Sequence, residues 1–186
     1  MIKADQYITP ELLLEWNNEY QLNLQFRELK KGTHFLKEGQ RCDYFYYIVK
    51  GLVRIYYLDL QGNEITHWFS PENSMITSPL SFLKGEENIL YFETLEPTEL
   101  IMMTAAQMRE MTERINSASE ALRRLNAEFA IVLSRRVMNI HTKSSEQRYL
   151  MLMEEHPYLF QKAKLAHIAS YLGITPQSLS RIRKNL

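Results

Sequence analysis

The glycines and prolines of this 186-residue chain divide it into two kinds of sequence. Between about Thr33 and Thr104, short runs rich in Tyr, Phe, Ile, Val and Thr, such as THFLKEGQ, YFYYIVKG and NILYFETLEPTELIMMT, are broken every few residues by Gly, Pro, Asn or Asp. Runs of that length punctuated by turn formers predict many short antiparallel strands closing into a barrel or jelly roll. Val53, Ile55 and Tyr57 alternate, DLQGNE turns the chain, and Ile65, His67 and Phe69 alternate again, which predicts one hairpin. From about Ala105 to His141 Gly and Pro are absent and the apolar period lengthens to that of a helix. The expected class is therefore α+β: an N-terminal antiparallel jelly roll of the double-stranded β-helix type, a long helix, and a small all-α region. The boundaries read as 1–115, 116–143 and 144–186.

Before the strands, Thr9 and Pro10 precede ELLLEWNNEY, a threonine cap and a first-turn proline that predict a short opening helix. In the long helix Ala118, Leu122, Leu125, Phe129 and Val132 recur at spacings of 4, 3, 4 and 3, while Leu133, Val137 and Ile140 mark a neighbouring stripe. Two stripes have two surfaces to cover. One is the chain's own barrel, and the other is the same helix of a second copy, which makes Leu122, Leu125, Phe129 and Val132 the expected dimer interface. Packing of both stripes inside one protomer is the alternative. Further on, Ser144 and Gln147 form a capping-box pair for a helix that stops before Pro157.

The charges cancel overall, with 22 Lys plus Arg against 22 Asp plus Glu, yet every acidic residue lies between Asp5 and Glu155. From Lys162 onward the only charged residues are Lys162, Lys164, Arg181, Arg183 and Lys184. In this tail, LAHIASYLGITPQSLSRIRKN, Ile168, Ala169 and Leu172 share one helix face, Gly173 suits a left-handed turn, and Thr175 and Pro176 start a second helix whose Leu179 and Ile182 face back. That is the helix-turn-helix pattern. Gln177, Ser178, Arg181 and Lys184 are left outward with Ser180 and Arg183 beside them, a set of hydrogen-bonding and cationic groups suited to a DNA major groove. A plain helical hairpin with a solvated basic face is the competing reading.

Several function classes find no support. The N-terminus lacks the apolar core of a signal peptide and no apolar run approaches a membrane span, so a cytoplasmic protein is expected. The single cysteine, Cys42, cannot form an internal disulfide or a thiolate metal site alone. A metal-dependent enzyme on a jelly roll would need clustered His and carboxylate ligands, and His34 and His67 stand 33 residues apart without a close ligating companion. No catalytic set, metal or cofactor is expected, and the reading is of a non-enzyme.

Barrel strands carrying YYIVKGLVRIYYLDLQGNEI, a long helix and a C-terminal IASYLGITPQSLSRIRK together resemble the CRP/FNR family of bacterial transcription regulators. The resemblance covers nearly the whole chain in order, and its most specific parts are FYYIVKGLVRIY and the tail. It implies a homodimer through the long helix, a small effector in the barrel that adjusts the recognition helices, a pseudo-palindromic double-stranded DNA site, and RNA polymerase as a further candidate partner. It puts Gln177, Ser178 and Arg181 on base-contacting positions. Thr175, Ser180, Arg183, Lys184, Lys162 and Lys164 are the candidate phosphate contacts. The departure is in the pocket. Where cyclic-nucleotide-binding members carry a Gly-Glu pair and an Arg-Ser or Arg-Thr pair, this chain aligns Thr77 and Ser78, then Asn88 and Ile89. Losing the acid and the cation would weaken cyclic nucleotide binding by about 10²–10⁴-fold, so neither cAMP nor cGMP is the expected effector, and Ser78, Asn88 and Ile89 are candidates to line a site for an unknown one. Ser78-Pro79 also reads as a cap and first residue of a short helix whose serine occupies a donor there. A barrel acting through protein partners, with a vestigial DNA-binding tail, is the alternative function.

Overall fold

The computed structural model describes residues 4–185. Helix α1 (Pro10–Tyr20) starts as its sequence dictates: Thr9 Oγ1 accepts from the Leu12 amide at 3.2 Å and Pro10 takes the first helical position. Eight strands follow, β1 (Gln25–Leu29), β2 (His34–Leu36), β3 (Tyr44–Lys50), β4 (Leu52–Leu58), β5 (Glu64–Pro71), β6 (Ser74–Ile76), β7 (Tyr91–Thr94) and β8 (Thr98–Thr104), with a short helix α2 (Pro79–Lys84) after β6. They form two four-stranded antiparallel sheets, ordered β1-β8-β3-β6 and β2-β7-β4-β5. This is the expected α+β fold with an antiparallel jelly roll. Between the sheets lies a core that includes Tyr46, Ile48, Val53, Ile55, Phe92, Leu100 and Met102.

Gly51 makes the tight β3–β4 connection. Its φ of +111° is open to glycine, and a Cβ there would collide with Thr98 and stand 2.9 Å from the Pro97 carbonyl oxygen. The β4–β5 hairpin forms around DLQGNE as expected, but its alternation does not run through. Ile55 pairs with Trp68 while Tyr56 pairs with Thr66, so His67 is an extra residue, a β-bulge. The bulge turns Trp68 inward and Thr66 outward. Thr66 and the run from Trp68 to Pro71 are nevertheless buried, on both faces of the strand, because something covers the outside of this sheet.

That cover is the C-terminal region. Helix α3 (Ala105–Arg114), capped by a Thr104–Gln107 box, is followed at an extended Ile115 by α4 (Asn116–Thr142), then α5 (Ser145–Glu155), α6 (Leu159–Lys162), α7 (Leu165–Tyr171) and α8 (Pro176–Asn185). The Ser144–Gln147 capping box forms as its sequence predicts. Ala118, Ala121 and Leu125 of α4 pack with Trp16, Tyr47, Ile101 and Met103 on the outside of the first sheet. Leu52, Phe69 and Leu95 on the outside of the second sheet share a cluster with Tyr149, Leu152, Leu159, Ile168, Ala169, Leu172 and Leu179. Helices thus cover the barrel on both sides. At about 25 cal/mol per Å² of apolar surface, each buried Leu or Ile of this second cluster contributes about 1.5–3 kcal/mol to holding the C-terminal helices on the barrel.

Candidate functional site

Helices α7 and α8 meet through a turn at Gly173, whose φ is +68°. The Ile174 amide donates back to the Ala169 carbonyl at 3.0 Å, and Ala169 is fully buried where the helices cross. Thr175 Oγ1 accepts from the Ser178 amide at 3.1 Å and donates to Ser178 Oγ at 3.0 Å, so the two candidate DNA contacts Thr175 and Ser178 brace each other at the start of α8. Leu179 is buried and Ile182 half-buried against α7. On the other side Gln177, Ser180, Arg181, Arg183 and Lys184 are exposed, α8 carries no acidic residue, and among the described residues none of its three cations is ion-paired. A face that offers bidentate guanidinium and amide groups without a carboxylate can meet base edges and phosphates without first breaking a bridge. Lys164 is exposed at the start of α7. Lys162 stands apart, bridged to Glu96 of the barrel at 2.7 Å.

The unit is fastened to β5, an edge strand of its sheet. Ser170 Oγ accepts from the Thr66 amide at 2.9 Å and donates to the Glu64 carbonyl at 3.1 Å, pairing an otherwise open strand edge. Beside it the fully buried Arg54 donates to Thr66 Oγ1 at 3.0 Å, bridges Glu64 at 2.6 Å and Glu93 at 3.2 Å, and lies 4.3 Å over the Tyr56 ring. His167 of α7 is buried, and its Nδ1 has no hydrogen-bond partner. Burial, with the Arg54 cation adding to it, pushes its pKa down to about 4. Neither Arg54 nor His167 is marked by the strand and helix periods, and only their placement reveals the contact.

A second feature is a cavity of about 270 Å³ between the barrel and α4. Ile55, Trp68 and Ser70 line it from β4 and β5, Met75 and Ile76 from β6, and Leu122, Leu125, Asn126 and Phe129 from α4. Among the described residues no Asp, Glu, Lys or Arg lines it. Ser70 Oγ is buried at its wall with no hydrogen-bond partner. None of the candidate pocket residues Ser78, Asn88 and Ile89 is in its lining, although Ser78 lies in sequence between the lining residues Thr77 and Pro79. Asn88 is fully buried and committed: its Nδ2 donates to the Lys37 and Leu90 carbonyls at 2.7 Å each, and its Oδ1 accepts from the Leu90 amide at 3.0 Å. Ile89 is exposed and outside the lining. The expected serine cap is corrected too: Ser78 precedes α2, but its side chain makes no capping bond, its ψ of 100° falling short of the 163° of the capping Thr9. The expected dimer residues are split. Leu125 is buried on its own barrel, Leu122 and Val132 are half-buried, and Phe129 is exposed. Beyond them Ile131, Val137, Met138 and Ile140 of α4 are each more than half exposed.

The profile of the cyclic nucleotide-binding domain matches residues 26–115. No curated protein sequence matches the chain. Among solved structures, FixK2 from Bradyrhizobium japonicum is 18% identical, with a TM-score of 0.72 over 88% of this chain and 84% of that one. A transcriptional regulator of the CRP/FNR family from Eubacterium rectale is 21% identical, with a TM-score of 0.71 over 91% and 84% of the two chains. The c-di-GMP-responsive global regulator CLP of Xanthomonas campestris is 14% identical, with a TM-score of 0.71 over 92% and 90%. The barrel over residues 26–115 thus matches the cyclic nucleotide-binding domain, and the fold of the chain is similar to that of these CRP/FNR-type structures.

Proposed function

We propose that this protein is a homodimeric, sequence-specific DNA-binding transcription regulator, not an enzyme, whose barrel responds to a small uncharged effector other than cAMP or cGMP. The observation that carries the DNA-binding reading is the one-signed outer face of α8, with Gln177, Arg181, Arg183 and Lys184 exposed and unpaired over a buried Leu179. In this reading Gln177, Ser178 and Arg181 touch bases, while Thr175, Ser180, Arg183, Lys184 and Lys164 hold phosphates. Dimerisation brings two such faces to half-sites one helical turn apart, about 34 Å, on a pseudo-palindrome. The exposed apolar residues Phe129, Ile131, Val137, Met138 and Ile140 of α4 favour a second copy of that helix as its cover.

The effector class follows from the cavity. A cyclic nucleotide brings a phosphate anion, and among the described residues no Lys or Arg lines the space to receive it. An uncharged, largely apolar molecule with hydrogen-bonding groups fits better, because the buried, unpartnered Ser70 hydroxyl and the polar side chains of His67, Thr77 and Asn126 line an otherwise apolar wall. The test is capture of fragmented genomic DNA by the purified protein, followed by sequencing. Enrichment of a two-fold symmetric motif is expected. No enrichment over bulk DNA would overturn the reading, and recovery of protein partners alone would favour a barrel that signals without DNA.

A further inference from the structure

Trp68 belongs to two neighbourhoods at once. Its side chain lines the cavity, where the ring of Phe129 on α4 lies with centres 6.0 Å apart. The same indole is approached by Arg136, seven residues further along α4, with the guanidinium carbon 5.5 Å from the ring centre. Arg136 also donates to the His67 carbonyl and, at 3.3 Å, to the Tyr171 carbonyl, and it lies 4.1 Å over the Tyr171 ring. Tyr171 is the last residue of α7, five residues before α8 begins, and its ring packs against Phe69 at 5.3 Å.

The guanidinium has no carboxylate partner among the described residues, and burial lowers its pKa. It is therefore held by two carbonyls and two aromatic faces, all of which must be in place together. The His67 carbonyl is available because the bulge leaves that residue without a partner on β4. The Tyr171 carbonyl is available because it ends a helix, where a cation is favoured. Because the indole and the guanidinium are in direct contact, a displacement of the one changes the seat of the other.

We propose that Arg136 is a positioning residue that couples the cavity to the helix-turn-helix. A change in what fills the cavity moves Trp68, Trp68 sets Arg136, and Arg136 sets the end of α7 from which α8 departs. The proposal rests on the effector reading above only for the signal; the coupling itself is a property of the protein without ligand.

The deciding experiment is hydrogen exchange of the amides of residues 165–173 in four full-length chains: unaltered, Trp68→Phe, Arg136→Lys, and both together. Arg136→Lys keeps the charge and loses the planar fork, and exchange should speed by about tenfold. Trp68→Phe should speed it in the unaltered chain and change it less than about twofold once Arg136 is Lys, the non-additivity expected of groups acting in series. An equal effect of Trp68→Phe in both backgrounds overturns the proposal. Exchange in β3 and β8 is the folding control, and Phe129→Leu replaces Trp68→Phe if that control fails. In a Trp16→Phe background Trp68 is the only indole, and its fluorescence reports cyclohexanol as an uncharged probe of the cavity. Cyclohexanol that shifts Trp68 and also shifts residues 165–173 only when Arg136 is present supports both readings. A shift that persists with Lys at that position overturns the coupling and leaves the effector reading intact; no Trp68 response counts against the effector reading alone, with the four-chain comparison still deciding on Arg136.

Discussion

Ser170 stands on the edge of β5 with its hydroxyl 2.9 Å from the Thr66 amide, doing for one point of that edge what a neighbouring strand would do. Ser170→Ala leaves the Thr66 amide and Glu64 carbonyl without this partner. A loss of about 1–2 kcal/mol in the docking of α7 is expected, seen as roughly tenfold faster exchange of the Thr66 amide. Unchanged exchange at Thr66 would mean that water replaces the hydroxyl at no cost.

Stability should fall on mild acidification through His167. In the docked protein its pKa is pushed down to about 4, by burial first and by Arg54 second, whereas an unfolded histidine titrates near 6.5. The unfolded state therefore binds more protons between those values. The contribution of neutral His167 is fully present above about pH 6.5 and is lost as the pH falls toward 4, a change of about 2–3 kcal/mol. Urea midpoints at pH 7.5 and 5.0 measure it, and His167→Leu should flatten that part of the profile.

DNA affinity should be steeply salt-dependent, with a log–log slope of about −5 to −9 for a dimer. Arg181→Ala is expected to cost about 1–3 kcal/mol on the specific site and to relax preference at one base position. Lys184→Ala should weaken all sequences alike. Lys162→Ala should leave the slope unchanged, because Lys162 is engaged by Glu96. Fluorescence anisotropy across a salt series separates these three behaviours.

Calorimetric titration with cAMP and cGMP should give no binding at micromolar concentrations. A dissociation constant below about 10 µM, roughly −7 kcal/mol, would require a cation that the cavity wall does not supply.

Val137→Glu should abolish the proposed dimerisation. In a self-complementary helix pair each substitution appears twice, so a carboxylate on the exposed apolar stretch of α4 meets its own copy or sits in an apolar seam. Sedimentation velocity reads the outcome, and a dimer that survives Val137→Glu and Met138→Glu together would place the interface elsewhere.

Much of the architecture was legible because it is local. Thr9 with Pro10, Ser144 with Gln147, and the run Gly173, Thr175, Pro176 each announce a helix end through chemistry completed within a few residues, and each forms as written. The hairpin around DLQGNE is legible for the same reason. What escaped is non-local. Period-two alternation says that a strand has two faces, not what lies on each, so burial of Arg54 on the outer face of β4 could not be foreseen without the C-terminal helices that cover it. The bulge at His67 has no glycine to mark it, and the break between α3 and α4 falls at an isoleucine, which favours helix poorly but seldom ends one. Ser78, Asn88 and Ile89 are pocket candidates by alignment alone, which cannot say that the Asn88 amide is bound to the Lys37 and Leu90 backbone or that α4 supplies part of the cavity wall.

The pairing of Ser170 with Thr66 joins residues 104 positions apart, which fixes an order of events during synthesis. At about 5–20 residues per second, β5 leaves the ribosome roughly 5–20 s before α7 can reach it. Through that interval the nascent barrel carries an unpaired strand edge with Phe69 beside it. Chains stalled or truncated after the barrel should therefore be the form most prone to joining one another edge to edge, and the C-terminal helices act as that barrel's last-arriving guard against aggregation.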